Sequence, residues 1–288
     1  MKKLLLTIAS ALLVLTLVGC STTTDDQAST TAATTTASPT VEPTVLKVAA
    51  TLDPHSKILE FAKPILLSDY NIDLEITVLD DYYVFNQALD NEEIDANYFQ
   101  HRPFFDNEVS EKGYDITEVA GIHIEPFGFY SKNIASIDEL EDGDKIVISD
   151  SVSDHGRILS ILDKAGVITL DPEVAVIDAT VDDIIDNPKN LTFVEVKPEL
   201  LTVSYENKEG AMVAINGNYA IQAGLNPTED SVLLEQADET NPYVNIVACK
   251  TGHENDEAIQ ALVTVLKSDA VKDFILETYS DGSVIPAE

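Results

Sequence analysis

The sequence predicts an α/β protein of two lobes with two chain crossings between them, on three observations. Strand and helix signals alternate from Leu46 onward, the alternation breaks and restarts near Lys145, and a strand with two helices returns after Val244 to complete the first set. The length of 288 residues has room for two such lobes. Residues 46–50 (LKVAA) read as a strand running into the turn Thr51-Leu52-Asp53-Pro54. Ile58, Leu59, Ala62, Ile65 and Leu66 then recur at helical spacing, and Pro64 is expected to kink or end that helix. Residues 74–79 alternate as a half-buried strand, and after the stretch 84–89 residues 94–98 read as another, giving βαβαβ and a parallel sheet. The second set comprises a strand at 145–149, a helix at 156–165, strands at 191–196 and 212–215 and a short helix at 219–223. A strand at 244–248 and helices near 256–266 and 271–279 follow. The expected lobes are 45–128 plus 242–288, and 129–241.

Composition narrows the function. Asp and Glu total 51 against 17 Lys and Arg, a net charge of −34, so the chain repels phosphate backbones and nucleic acid is excluded as a partner. Hydrophobic residues make up 44%, enough for a packed core. The N-terminus places Lys2 and Lys3 before a 15-residue apolar run, 4–18, that is shorter than a spanning helix and ends in Leu17-Val18-Gly19-Cys20. This pattern resembles a bacterial lipobox, so residues 1–19 are expected to be a signal peptide and Cys20 the lipidated new N-terminus. Lipidation leaves Cys249 without a thiol partner and rules out a disulfide framework. Residues 21–44 contain ten Thr and three Ser with little that can pack, and with Cys20 form an expected tether, 20–44, reaching about 25–30 Å. An exported, tethered, two-lobed α/β protein is most simply a solute receptor with its ligand in the cleft at the strand ends.

Several residues could build that cleft. Arg157, one of only two arginines, follows a strand and is expected in the first turn of a helix, where its fork and the free backbone amides suit a carboxylate; a salt bridge to a nearby Asp is the competing reading. Asn216 and Asn218 follow the 212–215 strand, as ligand contacts or as helix N-caps, with Asn216 the better cleft candidate. Asn245 lies in an apolar strand and needs a partner if buried. Tyr82, Tyr98, Phe99 and His101 sit at expected strand ends, as lobe core or as an apolar slot that would suit a thioether. His55 is read either as a cap of the following helix or as a cleft residue. The five histidines show no pair at metal-binding spacing, so no metal site is expected, although a metal-ion receptor is the second reading. No nucleophile elbow, P-loop or dinucleotide fingerprint appears, so neither enzyme activity nor a cofactor is expected.

Taken in order, Ala50-Thr51 to Pro54-His55, Asp95-Ala96-Asn97-Tyr98-Phe99-Gln100-His101, His123-Ile124-Glu125-Pro126-Phe127-Gly128-Phe129-Tyr130-Ser131-Lys132, Gly156-Arg157, Asn187-Pro188-Lys189-Asn190-Leu191, Ile215-Asn216-Gly217-Asn218-Tyr219-Ala220 and Val284-Ile285-Pro286 resemble the NlpA lipoprotein family. Members are methionine-binding receptors of ABC importers. The resemblance implies a type II periplasmic-binding-protein fold, anchored by lipid on the extracytoplasmic face of the membrane. It also implies L- or D-methionine or a methionine dipeptide as ligand, and a permease with a cytoplasmic ATPase as partner. By the same resemblance Arg157 holds the ligand carboxylate, Asn216 and Asn245 its backbone groups, and Tyr82, Tyr98, Phe99 and His101 its side chain. The sequence departs from the family at Asp154, where Asn is common, and around Leu201-Thr202-Val203, where Leu-Pro-Arg is usual.

Overall fold

The computed structural model describes residues 42–236 and 241–287. The expected signal peptide, Cys20 and the tether as far as residue 41 lie outside the described residues. The first element is β1 (Thr44–Ala50), so the tether's expected last residue already belongs to the sheet: Thr44 pairs with Ile72. Then come α1 (Lys57–Tyr70), β2 (Ile72–Val78), α2 (Tyr82–Asp90), β3 (Ala96–His101), α3 (Arg102–Lys112) and β4 (Ile116–Ile124). The second stretch holds β5 (Gly128–Tyr130), β6 (Lys145–Ser149), α4 (Val152–Lys164), β7 (Thr169–Leu170), β8 (Ile184–Asp186), β9 (Thr192–Val196) and α5 (Leu201–Glu206), then β10 (Met212–Ile215), α6 (Gly217–Gln222), α7 (Pro227–Asp230) and β11 (Ser231–Leu234). The chain closes with β12 (Val244–Lys250), α8 (Glu257–Leu266), α9 (Asp269–Thr278) and β13 (Ile285–Pro286).

One sheet has the order β13-β4-β12-β3-β1-β2 and another β11-β5-β10-β6-β9, while β7 and β8 pair by themselves. The chain passes from the first sheet to the second between Ile124 and Gly128 and returns between Leu234 and Val244, which gives the two expected crossings. As expected, β1, β2 and β3 run parallel. β12 inserts antiparallel between β3 and β4, so the first sheet is mixed. Its apolar face packs on α1, α8 and α9, where Phe61 and Phe274 stack at 4.3 Å. Burial at about 25 cal/mol per Å² is what holds these layers together.

Three expectations about elements are corrected. Helix α1 runs through Pro64 to Tyr70, because Pro64 and Glu60, the residue whose carbonyl loses its partner, both face solvent and water can satisfy the freed oxygen. Helix α4 begins at Val152, four residues before the expected start, so Arg157 sits in its second turn and the free amides of the first turn are not its neighbours. Tyr82 does not close a strand: Asp81 caps α2 by accepting the Tyr83 amide at 2.9 Å, and Tyr82 opens the helix.

Candidate functional site

The C-terminal ends of β3, β6 and β10 and the start of β12 meet around a cavity. Of the predicted ligand contacts, Arg157, Asn216, Asn245, Tyr82, Phe99 and His101 line it. Tyr98 does not. Along a strand alternate residues face opposite sides, and Tyr98, fully buried, turns into the α1 side of the sheet, where its hydroxyl bonds His123 Nδ1. Sequence reasoning missed Glu125, did not place Asp154 as a contact and ranked Asn218 behind Asn216, yet all three line the cavity. The signal available was their position directly after strands, Glu125 after β4 and Asp154 and Asn218 at the start of helices that follow β6 and β10.

Arg157 is 3% exposed. One terminal nitrogen donates to Glu235 Oε2 at 2.6 Å and to the Glu125 carbonyl at 2.6 Å, and Nε lies 3.1 Å from both Glu235 oxygens. The guanidinium also lies over Tyr243 at 4.5 Å and Phe127 at 5.3 Å. Burial pushes Glu235 up, but the adjacent Arg157 charge and the hydrogen bonds from Arg157, the Phe127 amide and Asn241 outweigh it and hold the carboxyl below its usual range. The competing sequence reading thus has a real counterpart, with Glu235 in place of an Asp.

Asp154 is 2% exposed. Its Oδ1 accepts from His101 Nε2 at 2.9 Å and its Oδ2 from Asn216 Nδ2 at 3.2 Å. Burial raises its pKa, while His101, Asn216 and Ser149 together lower it further, so the carboxylate form is held. His101 also caps α3, its Nδ1 accepting the Phe104 amide at 3.1 Å, which fixes the ring proton on Nε2. The Asn216 side chain makes no cap bond to α6, and its Oδ1 is a buried acceptor without a partner among the described residues. The neighbouring Asn218 is the converse: its Oδ1 accepts from the Tyr82 hydroxyl, and its buried Nδ2 has no acceptor among the described residues. Gly217 between them approaches Glu125 so closely that an added Cβ would lie 2.6 Å from the Glu125 Cβ.

The apolar wall is held from behind. Asn86 of α2 donates to Gln100 Oε1 and accepts from Gln100 Nε2, each at 2.8 Å, and accepts from Asn97 at 2.9 Å, tying α2 to β3. Tyr82 stacks on Tyr219 at 5.1 Å, and Phe99 on Phe85 at 3.9 Å, so each ring that faces the cavity has a fixed partner.

His55, His123 and Glu125 converge with their ligand atoms within 4.8 Å of one another, which sequence spacing did not reveal. Each group already has protein partners. His55 Nδ1 lies 2.7 Å from Thr51 Oγ1 and Nε2 lies 3.1 Å from Asn245 Oδ1. His123 Nε2 lies 2.8 Å from Glu125 Oε1, and its Nδ1 bonds Tyr98. Burial lowers both histidines to about 3 and raises Glu125 against the pull of His55 and Arg157. With the two rings neutral and every ring nitrogen partnered, the cluster reads as a hydrogen-bonded support and carries no argument for a metal-ion receptor. It also orients Asn245: with Oδ1 turned to His55, the amide nitrogen is the atom available to a ligand.

The family model described as NlpA lipoprotein matches residues 46–288. The chain is 48% identical over 240 residues to the methionine-binding lipoprotein MetQ of Bacillus subtilis (strain 168), covering 83% of this chain and 86% of the relative. It is 33% identical to the D-methionine-binding lipoprotein MetQ of Escherichia coli (strain K12), covering 84% and 89%. Among solved structures, a nutrient-binding protein from Burkholderia cenocepacia bound to methionine superimposes with a TM-score of 0.79 at 31% identity, covering 84% of this chain and 100% of that one. The sheet orders and paired crossings are those of the type II periplasmic-binding-protein fold, and the chain belongs to the NlpA lipoprotein family.

Proposed function

We propose that this protein is a lipid-anchored, extracytoplasmic receptor that captures methionine, as the L or D form or within a dipeptide, and delivers it to an ABC permease driven by a cytoplasmic ATPase. Lobes 45–128 plus 242–288 and 129–241 close on the ligand, and the importer responds to closure. The cleft binds without chemistry. The observation that carries this reading is a pair of buried, opposite and unpartnered polar atoms, Asn216 Oδ1 and Asn218 Nδ2, beside an aromatic wall. A buried acceptor and donor left open cost about 1–3 kcal/mol each, and a zwitterion satisfies both. Asn216 takes the ammonium group. Asn218, the amide nitrogen of Asn245 and the remaining terminal nitrogen of Arg157 take the carboxylate, and Tyr82, Phe99 and His101 take the side chain. The methionine-binding names of the relatives support the choice of amino acid. Their lipoprotein names, with the Leu-Val-Gly-Cys pattern, support the anchor at Cys20.

Calorimetric titration of L-methionine into wild type, Asn216→Ala and Asn218→Ala tests it. Each substitution is expected to weaken binding by about 1–3 kcal/mol, roughly five- to 150-fold. Wild-type affinity in both variants would overturn the assignment of the cleft.

A further inference from the structure

Carboxyl groups outnumber arginine and lysine side chains around the cleft. Arg157 is the one cationic side chain among the described residues that line it, and Glu235 already meets that charge through two nitrogens. Asp154 adds a second buried carboxylate. His101 accepts a backbone amide on Nδ1 and meets Asp154 through Nε2, and Asn216 donates an amide hydrogen to it. Glu125 lines the same cavity and adds no positive charge in either protonation state. The orientation of Asn216 turns this excess toward the ligand. Its nitrogen is spent on Asp154, and its unpartnered oxygen, on a residue 5% exposed, is left for a donor. An open acceptor backed by a buried carboxylate favours a cationic donor over a neutral one. The groups available to the other end of the ligand are Asn218 Nδ2, the amide nitrogen of Asn245 and the remaining terminal nitrogen of Arg157, whose charge Glu235 already meets, and each can donate to an amide oxygen as well as to a carboxylate.

We infer that Asp154 and Asn216 select for the α-ammonium group, and that the cleft accepts α-amino compounds whose carboxyl group is masked as an amide or a peptide bond. This inference rests on the function proposed above, but it assigns recognition to the amine and makes the free carboxylate dispensable. It also gives Asp154 a role as a specificity-determining residue.

Three probes separate the two claims: L-methionine, L-methioninamide, which keeps the ammonium, and N-acetyl-L-methionine, which keeps only the carboxylate. They are titrated into the ligand-stripped full chain at about pH 6, where the α-amine is protonated. The amide is expected to bind within about tenfold of methionine and the N-acetyl compound at least about a hundredfold more weakly. Asp154→Asn, which keeps the shape and removes the charge, should weaken methioninamide at least about tenfold and narrow its lead over the N-acetyl compound. The wild-type series needs no variant, so it decides the matter even if Asp154→Asn fails to fold. Methionine and the N-acetyl compound bound with the amide rejected would overturn this inference and leave the proposed function standing. The amide bound with methionine rejected would do the reverse, and no binding of any probe would overturn both.

Discussion

At Arg157 the cost of removing a side chain and its contribution to binding must be separated. Arg157 and Glu235 are a buried pair, with 4% and 10% of their side chains exposed, so deleting either strands the other's charge. Arg157→Met is expected to destabilise the fold by about 3–5 kcal/mol in denaturant unfolding, whereas Arg157→Met with Glu235→Gln should lose clearly less. Equal losses in the single and double variants would contradict that coupling. The buried histidines make a second prediction. Folded His55 and His123 resist protonation down to about 3, while in the unfolded chain they take up protons from about pH 6.5 downward. Between those values the unfolded state binds more protons, so stability drops as the pH is lowered, by up to about 1.4 kcal/mol per unit for each ring. Replacing His123 with Gln removes one of the two, and the acid slope of stability should flatten by about that amount. An unchanged slope would mean His123 is already charged when folded.

Among the elements, helix α4 carries the site, since it presents Asp154 and Arg157, and Gly156 between them lets it approach the turn at 176–178. A Cβ at Gly156 would lie 2.0 Å from the Val176 carbonyl oxygen, a backbone atom that cannot swing aside. Gly156→Ala is therefore expected to lower stability by about 1–3 kcal/mol and to weaken methionine binding with it, measured by thermal unfolding and titration. A fully stable, fully binding variant would show that α4 can shift without cost. The elements also explain what was readable. β1, β6 and β10 were legible because Val, Ile and Ala runs between turn residues mark buried strands, and β2 because its apolar and polar residues alternate at a sheet edge. Helix α3 escaped notice because its buried positions include Pro103 and the charged Glu108, which leave Phe104 and Phe105 as its only buried apolar pair. The early start of α4 was hidden because its first turn, Val-Ser-Asp-His, is mostly polar, and the partners of its buried Asp154, His101 and Asn216, are distant in sequence. Most pocket residues were legible as polar or aromatic groups at strand ends. Their orientation was not, because which atom of Asn216, Asn218 or Asn245 faces a ligand depends on partners far away in sequence, Asp154, Tyr82 and His55.

For the whole molecule, two sheets joined by two crossings place the cavity where strand ends from both meet. Among the described residues no helix is long and apolar enough to cross a membrane, so the proposed anchorage rests on Cys20 and the relatives' lipoprotein character. The surface charge of −34 for the chain keeps it away from anionic partners, while the ligand site draws its selectivity from a few buried groups. The central claim is that this cleft closes on methionine. Thermal unfolding of the denatured, ligand-stripped and refolded protein, with and without excess L-methionine, tests it most directly. Ligand at about a thousand times its dissociation constant adds about 4 kcal/mol, which for a protein of this size raises the midpoint by about 8 °C or more. A rise of that order with methionine, and none with an acidic amino acid such as aspartate, is the predicted result; an unmoved midpoint with methionine would contradict it.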